Sequence, residues 1–565
     1  MPFGDNSLAF SSVSQAEFQE KPLFLFGTDI HQTLRRRIAR SAAAKALAEA
    51  ILFRSTELLD EPRISQQYET GRAVLLPTTR RFADRAQHFV LAWLLTGDAC
   101  FARSIVDDLM IVTAFPDWNR KHFLDVAEMV SAVAMARQWV APFLSPDQKH
   151  GIDAAILEKG LKPGIDSLNG SSEWTRQAGN WNIVCNSALI VAALAMAESY
   201  PKICAQILTK AQASLAVGIA AVGPSGEWFE GLTYWSYAAH HAALAQIAIE
   251  QSGYILENPA LFDPVLNGSR FAAASVAPSG LASNFGDNKS VPDLFPMQAW
   301  LSVRYGRPFP KALAATHPFE LIWTGDGIFD DAPPKSFIGD HLVVLRAREA
   351  AWLAVSVGTA DHAHAHHDLG SFLWEIDGVR FVVDPGRLDY ALKGYFSAER
   401  FDHFGASAAA HNLPVFDTVS TLGWRTDVEY CRDTENGQEL LIRSAAPKGR
   451  PEIRRRFVLA GNGVLQVEDR ISPVQNAAQH TLCHWQFHTD AQVEAEGEAL
   501  LLHKLGRTVR VVAQAQGRGP WDIRPLDEKA LGLVDTGLVT RAAFTVPQNS
   551  AGITTVVRFD LLKLD

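Results

Sequence analysis

The feature that most constrains the fold is a change of hydrophobic period near residues 324–337. From about residue 35 to 325, apolar side chains recur every three or four positions, which is typical of packed helices. Beyond residue 337, short runs rich in Val, Phe, Leu and Thr alternate apolar and polar residues, which indicates antiparallel strands. The connector TGDGIFDDAPPKSF is rich in Gly, Asp and Pro. We therefore predict an α+β multidomain chain, helical first and β-sheet second.

Individual segments carry this prediction. Five stretches with helical periodicity, separated by Gly, Pro, Asn and Asp clusters, are residues 41–53, 86–98, 123–140, 186–199 and 237–253. In the second half, EIDGVRFVVD contains an Asp-Gly pair and VLAGNGVLQVED an Asn-Gly pair. Both pairs favour tight β-hairpin turns, because their residues adopt a positive φ readily.

Composition excludes several classes of protein. The 565 residues are 47% hydrophobic with a formal net charge of −10, and no basic stripe appears in the sequence, so nucleic acid is not the expected partner. No apolar run is long enough to predict a membrane span. The five cysteines are scattered, which favours buried thiols over disulfides. The first residues carry no evident export signal, so a cytoplasmic location is expected, and a periplasmic one is left open.

A histidine cluster is the clearest chemical signal. Residues 362–368 read HAHAHHD, and this segment is predicted to lie at the start of a strand. In an extended chain His362, His364 and His366 would share one face. Asp384 follows the apolar run RFVV, and His411 lies in a small-residue segment. A His/Asp/His set drawn from three segments suits one divalent metal, most simply zinc.

Two motifs in the helical half carry further candidates. QAGNWNIVCNSA places Asn180 and Asn182 at a predicted helix start, where an Asn either caps the helix or helps its N–H groups bind a carboxylate. Asn186 lies one turn further along. TYWSYAAHH places Tyr234 and Tyr237 on one helical face. Tyrosines at this spacing commonly pack in the hydrophobic core.

These motifs together resemble the heparinase II/III-like polysaccharide lyases. The resemblance lies in HAHHDLGSFLWEIDGVRFVVDPG with the following GYF and HN, in QAGNWNIVCNSA, and in SGEWFEGLTYWSYAAHHAAL. It implies an incomplete (α/α) toroid over residues 1–330 and an antiparallel β-sheet domain over 331–565. It also implies a carbon–oxygen lyase that cleaves uronic-acid glycans, such as glycosaminoglycans or alginate, by β-elimination.

The resemblance also implies roles for residues. The catalytic candidates are Tyr237, with Tyr234 as the alternative, His364, Tyr395 and, as carboxylate neutralisers, Asn180 and Asn182. The substrate-binding candidates are Asn186, Arg176, Trp181 and Trp235. The candidate ligands of a mainly structural zinc are His366, Asp384 and His411.

These residue types suit elimination from a uronate. The sugar carboxylate must be neutralised, the C5 proton must be removed by a base, and the leaving O4 must be protonated. Two other functions are left open: a C5-epimerase on the same scaffold, and a non-catalytic glycan-binding or envelope-assembly protein. The particular glycan is also left open, and the large faces of a toroid would permit a homodimer.

Overall fold

The structure is a computed structural model of the chain. It describes residues 24–27, 29–69, 72–292, 297–305, 317–323, 334–347, 351–362, 364–416, 425–445, 451–473, 482–534, 537–547 and 551–562. In this part of the chain, no helix is both long and apolar enough to cross a membrane.

The chain folds into two compact units. The first comprises Met1–Val222, Ser236–Asn267 and Leu294–Phe329. The second comprises Gly223–Trp235, Gly268–Asp293 and Asp330–Asp565. The predicted domains, 1–330 and 331–565, meet at nearly the same junction. They differ from the units because two short segments of the predicted helical half join the β-rich unit.

Helices dominate the described part of the first unit. In chain order the α-helices are α1 Ile30–Arg40, α2 Ala42–Asp60, α3 Leu76–Thr96, α4 Ala99–Ala114, α5 Phe123–Trp139, α6 Pro146–Ile156, α7 Lys162–Asp166, α8 Asn180–Ala195, α9 Pro201–Ile219, α10 Leu232–Ser252, α11 Asp263–Leu266, α12 Ser269–Ser275, α13 Met297–Tyr305, α14 Glu320–Trp323 and α15 Glu528–Leu531. All five predicted helical stretches lie largely within these helices. Helices α12 and α15, and the first residues of α10, belong to the second unit.

The pattern of burial explains why these segments are helical. In α1 the buried residues are Ile30, Leu34 and Ile38, spaced four apart along one face. Helix α5 is buried nearly all round, which fits its Ala- and Val-rich sequence. Ser145 and Gln148 form a reciprocal capping box that begins α6.

The second unit contains three antiparallel sheets. Their strands are β1 Ser336–Ile338, β2 Leu342–Ala347, β3 Ala351–Ser356, β4 Gly358–Thr359, β5 Phe372–Ile376, β6 Val379–Val382, β7 Pro414–Phe416, β8 Arg425–Thr434, β9 Gly437–Ala445, β10 Ile453–Ala460, β11 Leu465–Ile471, β12 Leu482–Thr489, β13 Gln492–Glu496, β14 Ala499–Lys504, β15 Arg507–Ala515, β16 Asp522–Pro525, β17 Thr540–Pro547 and β18 Ile553–Leu562. A five-stranded sheet has the order β1-β2-β3-β5-β6, and a four-stranded sheet has the order β16-β17-β12-β7. The largest, of nine strands, has the order β13-β14-β15-β18-β11-β10-β9-β8-β4. The predicted fold class is confirmed.

Both predicted hairpins are present. Strands β5 and β6 pair across Asp377 and Gly378, whose φ angles are 51° and 72°, as a tight hairpin turn requires. Strands β10 and β11 pair across a turn that contains Gly463. The apolar faces of the sheets bury a shared core that includes Trp374 and Phe559, whose ring centroids are 5.6 Å apart. Leu369, which directly follows the histidine segment, packs against this core.

Candidate active site

The histidine segment is a loop in the second unit, and its prediction as the start of a strand is wrong. Strand β5 begins only at Phe372. His364 has a φ of 63°, a left-handed conformation that non-glycine residues seldom adopt. Strained backbone of this kind persists only where the surroundings enforce it, and it clusters at functional sites.

Hydrogen bonds to Gly286, Asp287 and Ser356 hold this loop. The Asp368 carboxylate accepts hydrogen bonds from the Gly286 N–H at 2.8 Å and from the Ser356 hydroxyl at 3.0 Å. The Asp287 N–H donates to the His364 carbonyl at 3.1 Å. Gly286 itself has a φ of 60°, and a Cβ added there would lie 2.5 Å from the His364 carbonyl oxygen. The close approach of the two segments therefore requires a glycine.

The tip of the loop meets two tyrosines. The hydroxyl of Tyr234 lies 3.1 Å from Nδ1 of His364, and the Tyr234 ring stacks on the imidazole. The Tyr234 hydroxyl also makes a short hydrogen bond with the Tyr390 hydroxyl. Two groups able to transfer protons are thus in direct contact, a phenol and an imidazole.

A buried carboxylate lies beneath this cluster. Asp287 accepts from Nδ1 of His364 at 2.7 Å and from Nε2 of His366 at 3.1 Å. Its third donor is the Tyr395 hydroxyl. Burial would raise the pKa of Asp287, but the two histidine contacts hold it well below its usual range. The carboxylate is therefore ionised, and it accepts hydrogen bonds from both histidines and from Tyr395.

The tyrosines of the cluster are weak acids. Burial raises the pKa of Tyr234 well above its ordinary value, and the neighbouring Tyr390 and Asp287 raise it further. Burial and the Asp287 carboxylate likewise raise the pKa of Tyr390 and of Tyr395. These phenols remain protonated at neutral pH, so in the resting site each is a proton donor.

A cavity in the second unit opens beside His364. Its lining includes Glu227, Phe229, Asn288, His341, His362 and His364. The rings of His362 and His341 have centroids 5.5 Å apart. Neither histidine has a role predicted from the sequence. Burial and the neighbouring His362 lower the pKa of His341 to about 4, so it is neutral at pH 7. The cavity walls thus combine aromatic faces with the neutral imidazole of His341.

The predicted metal ligands lie close together but are already engaged. Nδ1 of His411 pairs with the Asp384 carboxylate at 2.7 Å, and the rings of His366 and His411 have centroids 5.5 Å apart. Burial would lower the pKa of His411, but Asp384 raises it. Within the described residues no three His, Cys, Asp or Glu side chains form a group able to hold a metal. The zinc therefore stays a prediction, and no chemical step below depends on it.

The predicted asparagines lie in the first unit, at the start of α8. Asn182 is buried, and its amide donates to the Trp174 carbonyl at 3.0 Å, while Asn186 donates to Oδ1 of Asn182 at 3.0 Å. Both side chains are thus built into the packing of α8. Asn180 is 4% exposed, and within the described residues its side chain makes no hydrogen bond. Of the three, only Asn180 keeps its amide uncommitted.

Tyr237 is the catalytic tyrosine that the sequence favours. In the structure it is hydrogen-bonded within the first unit. Its hydroxyl donates a short hydrogen bond to Glu128, which pairs in turn with Arg80 through contacts of 2.8 and 3.1 Å. Burial and the Glu128 carboxylate raise the pKa of Tyr237 well above its usual value. Its catalytic role stays a prediction, but the contacts give stronger support to Tyr234.

The predicted substrate-binding residues differ in accessibility. Arg176 is exposed and Trp181 is partly exposed in the first unit, where Trp181 packs edge-on against His122. Trp235 in the second unit is fully buried against Phe271. Because Trp235 and Asn186 are buried, their side chains have packing roles. Their burial does not support contact with substrate.

Sequence reasoning missed Asp287 and Tyr390. Asp287 lies in NFGDNKS, a segment with no recognisable motif. The adjacent Gly286 was the available signal, because a glycine beside a polar residue marks tight backbone approaches. Tyr390 precedes the GYF motif by a few residues, and the motif drew the assignment to Tyr395.

Comparison with known proteins agrees with this architecture. Residues 331–556 match the family described as Heparinase II/III-like, C-terminal. A heparinase III structure with methylated lysines is 14% identical, with a TM-score of 0.64 over 96% of this chain and 92% of that one. Heparan sulfate lyase HepC from Pedobacter heparinus is 15% identical, with a TM-score of 0.60 over 96% and 93%. No curated protein matches the chain at a significant level.

A third structure extends the likeness to another lyase. Chondroitin AC lyase of Streptomyces coelicolor A3, in complex with chondroitin sulphate, is 13% identical, with a TM-score of 0.54 over 94% of this chain and 83% of that one. At these identities the likeness shows the fold. The predicted resemblance is therefore confirmed: residues 331–556 match the heparinase II/III-like C-terminal family, and the chain has the fold of heparinase III, an (α/α) toroid with antiparallel β-sheets.

Proposed function

We propose that this protein is a polysaccharide lyase that cleaves uronic-acid glycans by β-elimination. The observation that carries the proposal is the contact of the Tyr234 hydroxyl with the His364 imidazole, 3.1 Å apart beside a cavity. Elimination needs a base at C5 and an acid at O4, which are on adjacent sugar carbons. A phenol and an imidazole in contact meet both needs within one sugar unit.

The raised pKa of Tyr234 assigns it the role of the acid, and His364 takes the role of the base. Tyr234 is protonated at neutral pH, since its pKa is raised by burial and by its neighbours. It therefore donates its proton to the departing O4 oxygen. His364 removes the C5 proton with its free ring nitrogen. The C5–H and C4–O bonds break, the C4=C5 double bond forms, and water returns the tyrosine and the histidine to their starting states.

Relatives support the substrate class. The heparan sulfate and chondroitin lyases that share the fold are named for acidic glycans, and one of them is bound to chondroitin sulphate. An acidic poly- or oligosaccharide is therefore the proposed substrate. Neutralisation of its carboxylate by Asn180 or Asn182 stays a prediction.

The experiment is an incubation of the protein with a panel of uronic-acid glycans, followed by ultraviolet absorbance of unsaturated uronate ends. Tyr234→Phe retains the stacked ring and removes the hydroxyl. We expect it to lower kcat on the order of 10²–10⁴-fold. Tyr430→Phe is the matched control, because Tyr430 donates to Glu439 between strands β8 and β9.

Other outcomes would contradict the proposal. Altered sugar configuration without chain cleavage would indicate an epimerase. Glycan binding without turnover, retained in Tyr234→Phe, would indicate a binding protein.

We also propose that His366, Asp384 and His411 bind a structural zinc. His366 and His411 supply imidazoles in buried positions, and Nδ1 of His366 has no hydrogen-bond partner within the described residues. Elemental analysis of the purified protein tests this. A stoichiometric metal that His411→Ala loses would support the site, and a metal-free active protein would refute it.

A further inference from the structure

We propose that Asp287 is a positioning residue that fixes the ring orientation and the tautomer of His364. This inference rests on the proposed function only in assigning chemistry to His364. The geometry itself comes from contacts within the second unit.

The direction of the hydrogen bonds fixes the tautomer of His364. An ionised carboxylate can only accept. Because Asp287 lies 2.7 Å from Nδ1 of His364, that nitrogen must carry the hydrogen. In the neutral ring the lone pair is then on Nε2, which makes no hydrogen bond within the described residues. His364 is thus held as the tautomer whose free nitrogen can accept a proton from substrate.

The Asp287 carboxylate is itself held in place. The Asp287 side chain is fully buried, and its other oxygen accepts from Nε2 of His366 and from the Tyr395 hydroxyl. The Asp287 backbone N–H donates to the His364 carbonyl. The same residue therefore holds both the backbone and the ring of His364, in a conformation with a positive φ that would otherwise relax.

Asp287 also fixes the tautomer of His366. Its contact with Asp287 places the hydrogen on Nε2 by the same reasoning, which leaves a lone pair on Nδ1. One carboxylate therefore sets opposite tautomers in two histidines that are two positions apart. Backbone geometry alone would not produce that difference, since either nitrogen of a neutral imidazole can carry the hydrogen.

The test compares Asp287→Asn with Asp469→Asn. Asp469 is a matched control, because it is also fully buried and accepts from three donor groups, two on Arg455 and one on Trp485. Asp469→Asn should lower the thermal midpoint and leave kcat of the folded protein unchanged. Asp287→Asn should lower kcat on the order of 10–100-fold with little change in KM.

A second measurement is independent of activity. Nitrogen-15 NMR of labelled histidines distinguishes Nδ1–H from Nε2–H tautomers. We expect Nδ1–H for His364 and Nε2–H for His366 in the unmodified protein, and redistribution of both in Asp287→Asn.

The outcomes separate this inference from the proposed function. Absence of turnover in the unmodified protein would refute the lyase activity, while the NMR result would still decide the tautomer. An Nε2–H tautomer of His364, or an unchanged kcat in Asp287→Asn, would overturn the role of Asp287. If Asp287→Asn does not fold, the tautomers of the unmodified protein still decide.

Discussion

The ring of Tyr234 stacks on the imidazole of His364, with centroids 4.2 Å apart and planes inclined by 19°. The stacking keeps the Tyr234 hydroxyl 3.1 Å from Nδ1 of His364, so the phenol and the imidazole lie within reach of one sugar unit. Three residues further along α10, Tyr237 is engaged with Glu128. Helical spacing alone could not separate these two tyrosines, but their contacts can.

We therefore predict unequal effects of two equivalent substitutions. Tyr234→Phe should lower kcat on the order of 10²–10⁴-fold, because a proton donor is lost. Tyr237→Phe should chiefly lower stability, by about 1–3 kcal/mol, because Glu128 loses a buried donor. Kinetics on a uronate glycan and urea denaturation measure the two effects. A larger loss of kcat in Tyr237→Phe would restore the assignment favoured by the sequence.

Gly286→Ala should disturb the site through the backbone. Its added methyl would lie 2.5 Å from the His364 carbonyl, so the histidine loop must move. Gly280→Ala is the control, since Gly280 also has a positive φ, 85°, but nothing lies within 4 Å of the added Cβ. Each variant should lose about 1–2 kcal/mol from the unfavourable φ. Only Gly286→Ala should also lose kcat, and equal kinetics in the two would show that the loop tolerates displacement.

The periodic features of the fold were predictable, because they depend on local patterning. Alternation every three to four residues predicted α2, α3, α5, α8 and α10, and the Asp-Gly and Asn-Gly pairs predicted two hairpins. The histidine loop was not predictable in this way. Its alternating residue pattern is typical of a strand. However, hydrogen bonds to Asp368 and Asp287 impose a loop in which His364 has a left-handed conformation.

The candidate site was predictable only where residue types are distinctive. Tyr234, His364, His366 and Tyr395 lie in recognisable motifs, and in the second unit they converge on one carboxylate or on each other. That carboxylate, Asp287, is one of many aspartates in the sequence and is brought to the site by a connection between segments 77 positions apart. No local pattern encodes such a pairing.

Asn182→Ala should destabilise the protein more than Asn180→Ala. Removal of the Asn182 amide leaves the buried Trp174 carbonyl without this donor and takes one of three acceptors from the Asn186 amide, at a cost of about 1–3 kcal/mol. Asn180 has no such partners, so its loss should barely change the free energy of unfolding. Urea denaturation measures both. If Asn180→Ala instead impairs turnover at full stability, the predicted carboxylate-binding role gains support.

Stability should fall as pH rises through the range set by Glu227. Burial raises the pKa of this carboxyl from 4.5 to about 8, despite backbone N–H donors from Asp340 and His341. The folded protein therefore binds more protons than the unfolded chain between these values. The contribution of Glu227 is complete below pH 4.5 and is lost as pH approaches about 8.

Thermal denaturation across this pH range tests the Glu227 prediction. Glu227→Gln cannot titrate, so its midpoint should vary less with pH than that of the unmodified protein. Parallel curves for the two proteins would show that Glu227 ionises normally in the folded state.

Phe396 is the remaining aromatic beside the cluster. Its side chain is 61% exposed, and its ring centroid lies 6.4 Å from that of His364 and 5.4 Å from that of Tyr390. An exposed aromatic face at this distance from the reacting groups suits the C–H face of a sugar ring, because flat apolar surface is available without desolvating a charge.

Phe396→Ala should therefore raise KM by a few-fold up to about tenfold, the equivalent of about 0.5–1.5 kcal/mol, and leave kcat nearly unchanged. Phe396→Tyr should retain the affinity, since it keeps the ring. Phe53→Ala serves as the control, because Phe53 is 67% exposed on α2 of the first unit. A loss of kcat without a change in KM would instead show that Phe396 supports the orientation of His364, and it would remove this ring from the substrate-binding surface.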